Sequence, residues 1–156
     1  MARHARFARR RPIRALSQRE AEAFEPVQGL TSRAIISITD PGREPAQLAA
    51  FGEMLRLQFR DDDVCGPRSM QPEDAVRILR FARRHRDLEL FVHCEHGMSR
   101  SPAVAHFLGR WLGCEVLGAG AAPNAFVEEL VARAGLRAGI AWLDIRLVWA
   151  AIHSAR

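Results

Sequence analysis

Short apolar runs alternate with amphipathic helical stretches through the middle of the chain, and this alternation constrains the fold more than any other feature. Arg33–Thr39 (RAIISIT) is a β-branched run closed by Asp40-Pro41-Gly42, the pattern of a buried strand ending in a turn. Met54–Phe59 (MLRLQF) sets Leu55, Leu57 and Phe59 on one face and Arg56 and Gln58 on the other. Leu88–His93 (LELFVH) reads as a further strand. Before it lies Pro72–Arg86, a helix with proline at its start and Glu73 and Asp74 in its first turn. Arg83, Arg84 and Arg86 close it, complementing the helix dipole. Its inner stripe is Ala75, Leu79 and Ala82, and its outer one Arg77, Arg80 and Arg84. After the third strand, Val104, Phe107, Leu108 and Trp111 recur at helical spacing until Gly113. Strands separated by helices predict an α/β fold, a central and mostly parallel sheet of four to five strands flanked by helices.

Toward the ends the signals are local. Ser17–Phe24 predicts a short helix, with Ser17 and Glu20 at capping-box spacing. Asn124 caps a later helix that has Glu128 and Glu129 in its early turns. A last helix over 140–153 carries two apolar stripes, so its tryptophans, like Trp111, are assigned to core packing. A chain of 156 residues suits one domain. The division expected is a basic, flexible arm over 1–16 and a single domain over 17–156. Six arginines and no acid occupy the first fourteen positions, in a chain with no lysine and a net charge of +5. A solvated terminus accounts for that arm, and contact with nucleic acid or an acidic surface is the functional alternative. No window is apolar enough to span a bilayer, and three cysteines without tight spacing argue against a disulfide framework or a zinc site. The expectation is a soluble, cytoplasmic protein with no metal and no cofactor.

The chemistry concentrates in Phe91–Ala103, F-V-H-C-E-H-G-M-S-R-S-P-A. Cys94 follows a strand, Arg100 opens a helix, and five residues including Gly97 lie between them. A turn from a parallel strand into a helix gathers backbone N–H groups at the positive helix end, which makes an anion cradle. Gly97 lets the backbone turn close to the anion. Arg100 can grip two oxygens of a tetrahedral phosphate. All of these groups favour a thiolate nucleophile over a thiol. Ser101 is placed to hydrogen-bond the sulfur, and His93 to hold the loop rather than act as a base.

His93-Cys94-(five residues)-Arg100-Ser101 with Gly97 inside it resembles the active-site loop of cysteine-dependent protein tyrosine phosphatases. It is closest to the compact dual-specificity-like branch and similar to small bacterial members. The resemblance covers roughly 34–113. It implies a phosphomonoester hydrolase acting on phosphotyrosine, with phosphoserine or phosphothreonine as the dual-specificity alternative, in a phosphorylated protein or peptide. Cys94 would form a phosphocysteine. Arg100 and the N–H groups of Glu95, His96, Gly97, Met98 and Ser99 would hold the phosphate oxygens. An aspartate about thirty residues upstream would serve as general acid and then base, without a metal.

Asp61, Asp62 and Asp63 all qualify for that role. Asp61 is favoured because bacterial relatives often place the acid two residues beyond a strand-end aromatic, here Phe59. Asp63 would share its side of an extended chain, and Asp62 precedes Cys94 by 32 residues, a separation also seen in the family. The absence of tyrosine removes that residue from any aromatic recognition loop. Glu95 and His96 stand where phosphoinositide-specific loops often carry lysine. His96-Gly97 also occurs in RNA 5′-triphosphatases of the superfamily, so RNA is the alternative substrate. A phosphoprotein-binding module without turnover is the non-enzymatic alternative. Cys65, beside the acid loop, is either inert or a partner for Cys94 under oxidation, and Cys114 is assigned to packing.

Overall fold

A computed structural model describes residues 11–26, 32–118, 120 and 122–153, with side chains described as far as residue 139. The elements run β1 (Ile13–Ser17), α1 (Gln18–Glu22), β2 (Arg33–Thr39), β3 (Glu53–Gln58), α2 (Pro72–Arg84), β4 (Glu89–Cys94), α3 (Arg100–Leu112), β5 (Val116–Leu117) and α4 (Ala125–His153). All the strand pairings are parallel, and the five-stranded sheet has the order β3-β2-β4-β1-β5. The α/β architecture expected from the alternating runs is the one observed.

Two layers cover the sheet because its strands alternate side chains between apolar faces. One face carries Ile13, Ala15, Ile36, Ile38, Leu57, Leu90 and Val92, packed against Ala75, Ile78 and Leu79 of α2, Val104 and Leu108 of α3, and Val127 and Val131 of α4. The other face is smaller. Ile35 and Phe91 meet Ala21 of α1 and Leu48 and Phe51 of the β2–β3 connection. The rings of Phe24, Phe51 and Phe91 stand 5.1–5.6 Å apart in tilted and edge-on pairs.

The helix ends follow their caps. Ser17 and Glu20 form the reciprocal capping box of α1, and Pro72 opens α2 behind Gln71 and Asp74. Gly113, at φ 67°, ends α3 in the left-handed region.

Two expectations are corrected. The arm does not extend to residue 16. Ile13–Ser17 is a strand with β4 on one side and β5 on the other, while residues 1–10 lie outside the described residues. Arg14, counted with the arm, is paired with Glu89 at 3.1 Å. The helix over 140–153 is not separate either, because α4 runs unbroken from Ala125 to His153. Gly135 interrupts the sequence pattern without breaking that helix, since it is where the helix lies against Phe107. A Cβ there would stand 2.6 Å from the ring. Trp111 packs against the core and stacks on Phe107; the side chains of Trp142 and Trp149 lie outside the described residues. Among the described residues, no helix is long and apolar enough to cross a membrane.

Candidate active site

The site forms where β4 ends and α3 begins. Parallel pairing brings the carboxyl ends of β1, β2 and β4 to one edge, and Cys94 is the last residue of β4. The strand period then separates Cys94 from its neighbour. Cys94 belongs to the core layer that contains α3, whereas His93 faces Ser37 across the sheet, with Nε2 and Oγ 2.8 Å apart. His93 is fully buried, and burial pushes its pKa down to about 4. The adjacent Cys94 backbone offsets part of that penalty, although Nδ1 has no well-formed hydrogen bond. His93 therefore ties β4 to β2 as a neutral ring and does not reach the sulfur side.

Residues 95–99 form a loop of bends between strand and helix. Gly97 adopts φ 71°, and a Cβ on it would come within 2.6 Å of the Ser17 nitrogen, so both its conformation and its clearance demand glycine. This close approach seats the loop on the end of β1, where the Gln18 N–H also donates to the Glu95 carbonyl at 3.3 Å. On the other side, Gly120 is equally tight, a Cβ there meeting the Met98 backbone at 2.7 Å. The loop is thus clamped by backbone from both flanks. Its main-chain N–H groups from Glu95 to Ser99 donate no hydrogen bond to any described protein acceptor. They form an unspent row of donors at the N-terminus of a 13-residue helix.

The side chains converge on the same place. Ser101 Oγ lies 3.2 Å from Cys94 Sγ and 3.2 Å from the Leu16 carbonyl oxygen. A hydroxyl has one hydrogen, so it can donate to Leu16 beside a neutral thiol and turn to the sulfur when that becomes anionic. Arg100 is buried, and its Nη1 donates to Asp40 Oδ1 at 2.6 Å and to the Phe59 carbonyl at 2.7 Å. Its Nε, also buried, has no hydrogen-bond partner among the described residues. A guanidinium anchored through Nη1 with an unpaired Nε is arranged to offer its remaining edge to an oxyanion.

The acid loop closes the arrangement. Asp61 Oδ1 accepts hydrogen bonds from Ser99 Oγ and from Asn124 Nδ2, both at 2.8 Å. Two acceptor bonds on one oxygen leave the second oxygen as the natural site for a proton. Ser99 occupies the N-cap of α3 but spends its hydroxyl on Asp61 instead of capping. Asp62 contributes only its carbonyl, which accepts from Asn124 at 3.1 Å, and Asp63 is an exposed residue of the same loop. Among the described residues, only Asp61 of the three is hydrogen-bonded to the 94–100 loop. Glu95 is paired with Arg43 at 3.3 Å, and His96 and Met98 are exposed.

Two residues of the candidate site were not legible in the positions they take. Asp40, expected only to close a strand, anchors Arg100. Asn124, expected only as a cap, does cap α4 through its Oδ1 on the Val127 N–H at 3.0 Å. It also holds Asp61 with its amide hydrogens, and its own N–H donates to the Ser99 carbonyl at 3.1 Å. Among the described residues no disulfide joins the cysteines; Cys65 is exposed and Cys114 packs at the core edge. Among the described residues, no cluster of three or more histidine, cysteine or carboxylate side chains is placed to hold a metal ion. Comparisons with protein-family models, with curated proteins and with solved structures gave no match to this chain.

Proposed function

We propose that this chain is a phosphomonoester hydrolase working through a phosphocysteine at Cys94, a protein tyrosine phosphatase of the compact dual-specificity-like kind that its signature loop resembles. The observation that carries the reading is the unpaired, buried Nε of Arg100 beside an open row of amides over a cysteine sulfur. A buried cationic donor without a partner is costly, and a phosphate in the loop would satisfy it together with those amides.

In the first step the Cys94 thiolate attacks phosphorus in line, the S–P bond forms, and the bond to the leaving oxygen breaks. Arg100 and the amides of Glu95 to Ser99 take up the charge on the equatorial oxygens as the transition state develops. Asp61 gives its free-oxygen proton to the departing alkoxide or phenoxide. In the second step Asp61, now a carboxylate, takes a proton from water as that water attacks phosphorus. The S–P bond breaks, and Ser101 donates to the released thiolate. Cysteines that form no disulfide among the described residues suit a reducing cytoplasm.

Turnover of p-nitrophenyl phosphate in the presence of a chelator tests the reading, with Cys94→Ser as comparison. Wild type is expected to release p-nitrophenol, and the variant to bind vanadate or phosphopeptide while its turnover falls below detection. A folded Cys94→Ser variant that turned over at the wild-type rate would overturn it. Tight binding of phosphopeptide by a wild type without turnover would favour a binding module.

A further inference from the structure

We infer that the site reads a second anionic group beside the scissile phosphate, and that its preferred substrates are phosphopeptides carrying a further phosphate or carboxylate close to the reacting residue. This rests on the phosphatase reading and adds a specificity site to it. A polar cavity of about 290 Å³ lies next to the cradle and is lined by Asp40, Pro41, Gly42, Arg43, Arg60 and Arg68. Its arginines come from three separate segments, the turn after β2, the residue after Phe59, and the loop before α2.

This cavity is built rather than incidental. The Arg60 N–H donates to the Arg68 carbonyl at 2.8 Å, which locks two of the segments together. The Arg43 N–H donates to the Asp40 carbonyl at 3.1 Å across a turn that needs Gly42 at φ 82°. Charge decides what it accepts. Asp40, the sole acid in the wall, is already neutralised by Arg100 at 2.6 Å. Arg43 is partly compensated by Glu95. The guanidinium groups of Arg60 and Arg68 have no hydrogen bond or ion pair among the described residues. Two uncompensated cations therefore face a concave space that shares the Asp40 wall with the phosphate-binding arginine. Arg60 also stands between Phe59, whose carbonyl receives Arg100, and Asp61, so the cavity borders the reacting centre directly.

The wall chemistry favours a peptide over RNA. No aromatic side chain lines the cavity, so nothing offers a base a surface to stack on. The adjoining cavity beyond Asp40 carries the carboxylates of Glu44 and of Glu95, the latter paired with Arg43, and Glu44 repels a continuous phosphate backbone. An isolated second phosphate, or a short acidic flank, meets the arginines without crossing those carboxylates.

The test measures binding and turnover separately. Full-length Cys94→Ser protein, and the same protein with Arg60→Gln and Arg68→Gln, are titrated calorimetrically with matched phosphotyrosine peptides. One peptide has a neutral flank, one an aspartate or glutamate flank, and one a second phosphate; a triphosphorylated RNA oligonucleotide is the fourth ligand. At low salt the singly substituted protein should bind the doubly anionic peptides at least about fivefold more tightly than the neutral one. The arginine substitutions should abolish that difference, and added salt should shrink it. With Cys94 restored, p-nitrophenyl phosphate turnover should stay within about twofold of wild type, since that substrate has no second charge. Equal binding of all peptides, a preference that survives both substitutions, or RNA binding tighter than any peptide would overturn the inference. Failure of wild type to hydrolyse the aryl phosphate would instead count against the phosphatase reading, and the binding comparison would still decide the subsite.

Discussion

Replacing Asn124 by serine separates two functions that one side chain performs. Serine retains an oxygen that can cap α4, and caps of the two types are close in strength, so the cap itself should change in worth by no more than about 0.5 kcal/mol. What disappears is the amide that donates to Asp61 Oδ1 and to the Asp62 carbonyl. Two hydrogen bonds at about 1 kcal/mol each bound the effect near 2 kcal/mol. If all of that appears as misplacement of the acid, it corresponds to about a 30-fold loss of rate. The loss should depend on the leaving group. Phenyl phosphate, whose phenoxide needs a proton, should slow by about 5- to 30-fold, and an activated aryl phosphate such as p-nitrophenyl phosphate by about threefold or less. Steady-state kcat on both substrates reads this, in wild type, Asn124→Ser, Asp61→Asn and the double variant. If Asn124 acts through Asp61, the two substitutions must be non-additive on phenyl phosphate, the second adding almost nothing to the first. Additive losses, or equal losses on both substrates, would refute the assignment of Asn124 as a positioning residue and of Asp61 as the acid.

Two further outcomes follow from the same geometry. Gly97→Ala should cost at least about 2 kcal/mol in urea unfolding, because alanine at φ 71° is strained and its Cβ collides with backbone at Ser17; unchanged stability would contradict the clamp. His93 has its folded pKa lowered to about 4 from an ordinary 6.5, so the unfolded chain binds the proton first as pH falls. Its contribution is therefore complete above pH 6.5 and is lost progressively toward pH 4, amounting to about 3 kcal/mol. Urea unfolding of wild type and His93→Gln across that range measures it, and parallel profiles would show that His93 is not responsible.

What the sequence made legible follows the range of the interactions. The cradle could be read because its strand end, glycine, helix start, cysteine and arginine lie within one short segment. Strands β2 and β4 could be read from apolar residues on both faces, and β3 from the strict alternation of Leu55 and Leu57 with Arg56 and Gln58. Strand β1 is hidden by its own composition. It has Ile13 and Ala15 as its fully buried residues and Arg14 between them, inside a run of arginines. Strand β5, two residues long, is too short to show any period. The roles of Asp40 and Asn124 arise across separations of 60 and 63 residues, where no local pattern announces a partner. Three consecutive aspartates differ only in where the folded chain turns each one.

The position of β1 has a consequence for how the molecule comes together. Strand β1 pairs with β4 and β5 and with no other strand, and both lie more than seventy residues further along the chain. As a nascent chain emerges, its earliest strand must stay without a neighbour while β2 and β3 can already join. The floor beneath Gly97 and Ser101 is made of that strand's last residues. The 95–99 loop therefore gains its seat only once β4 has emerged and paired with β1, so the proposed site takes shape together with closure of the sheet.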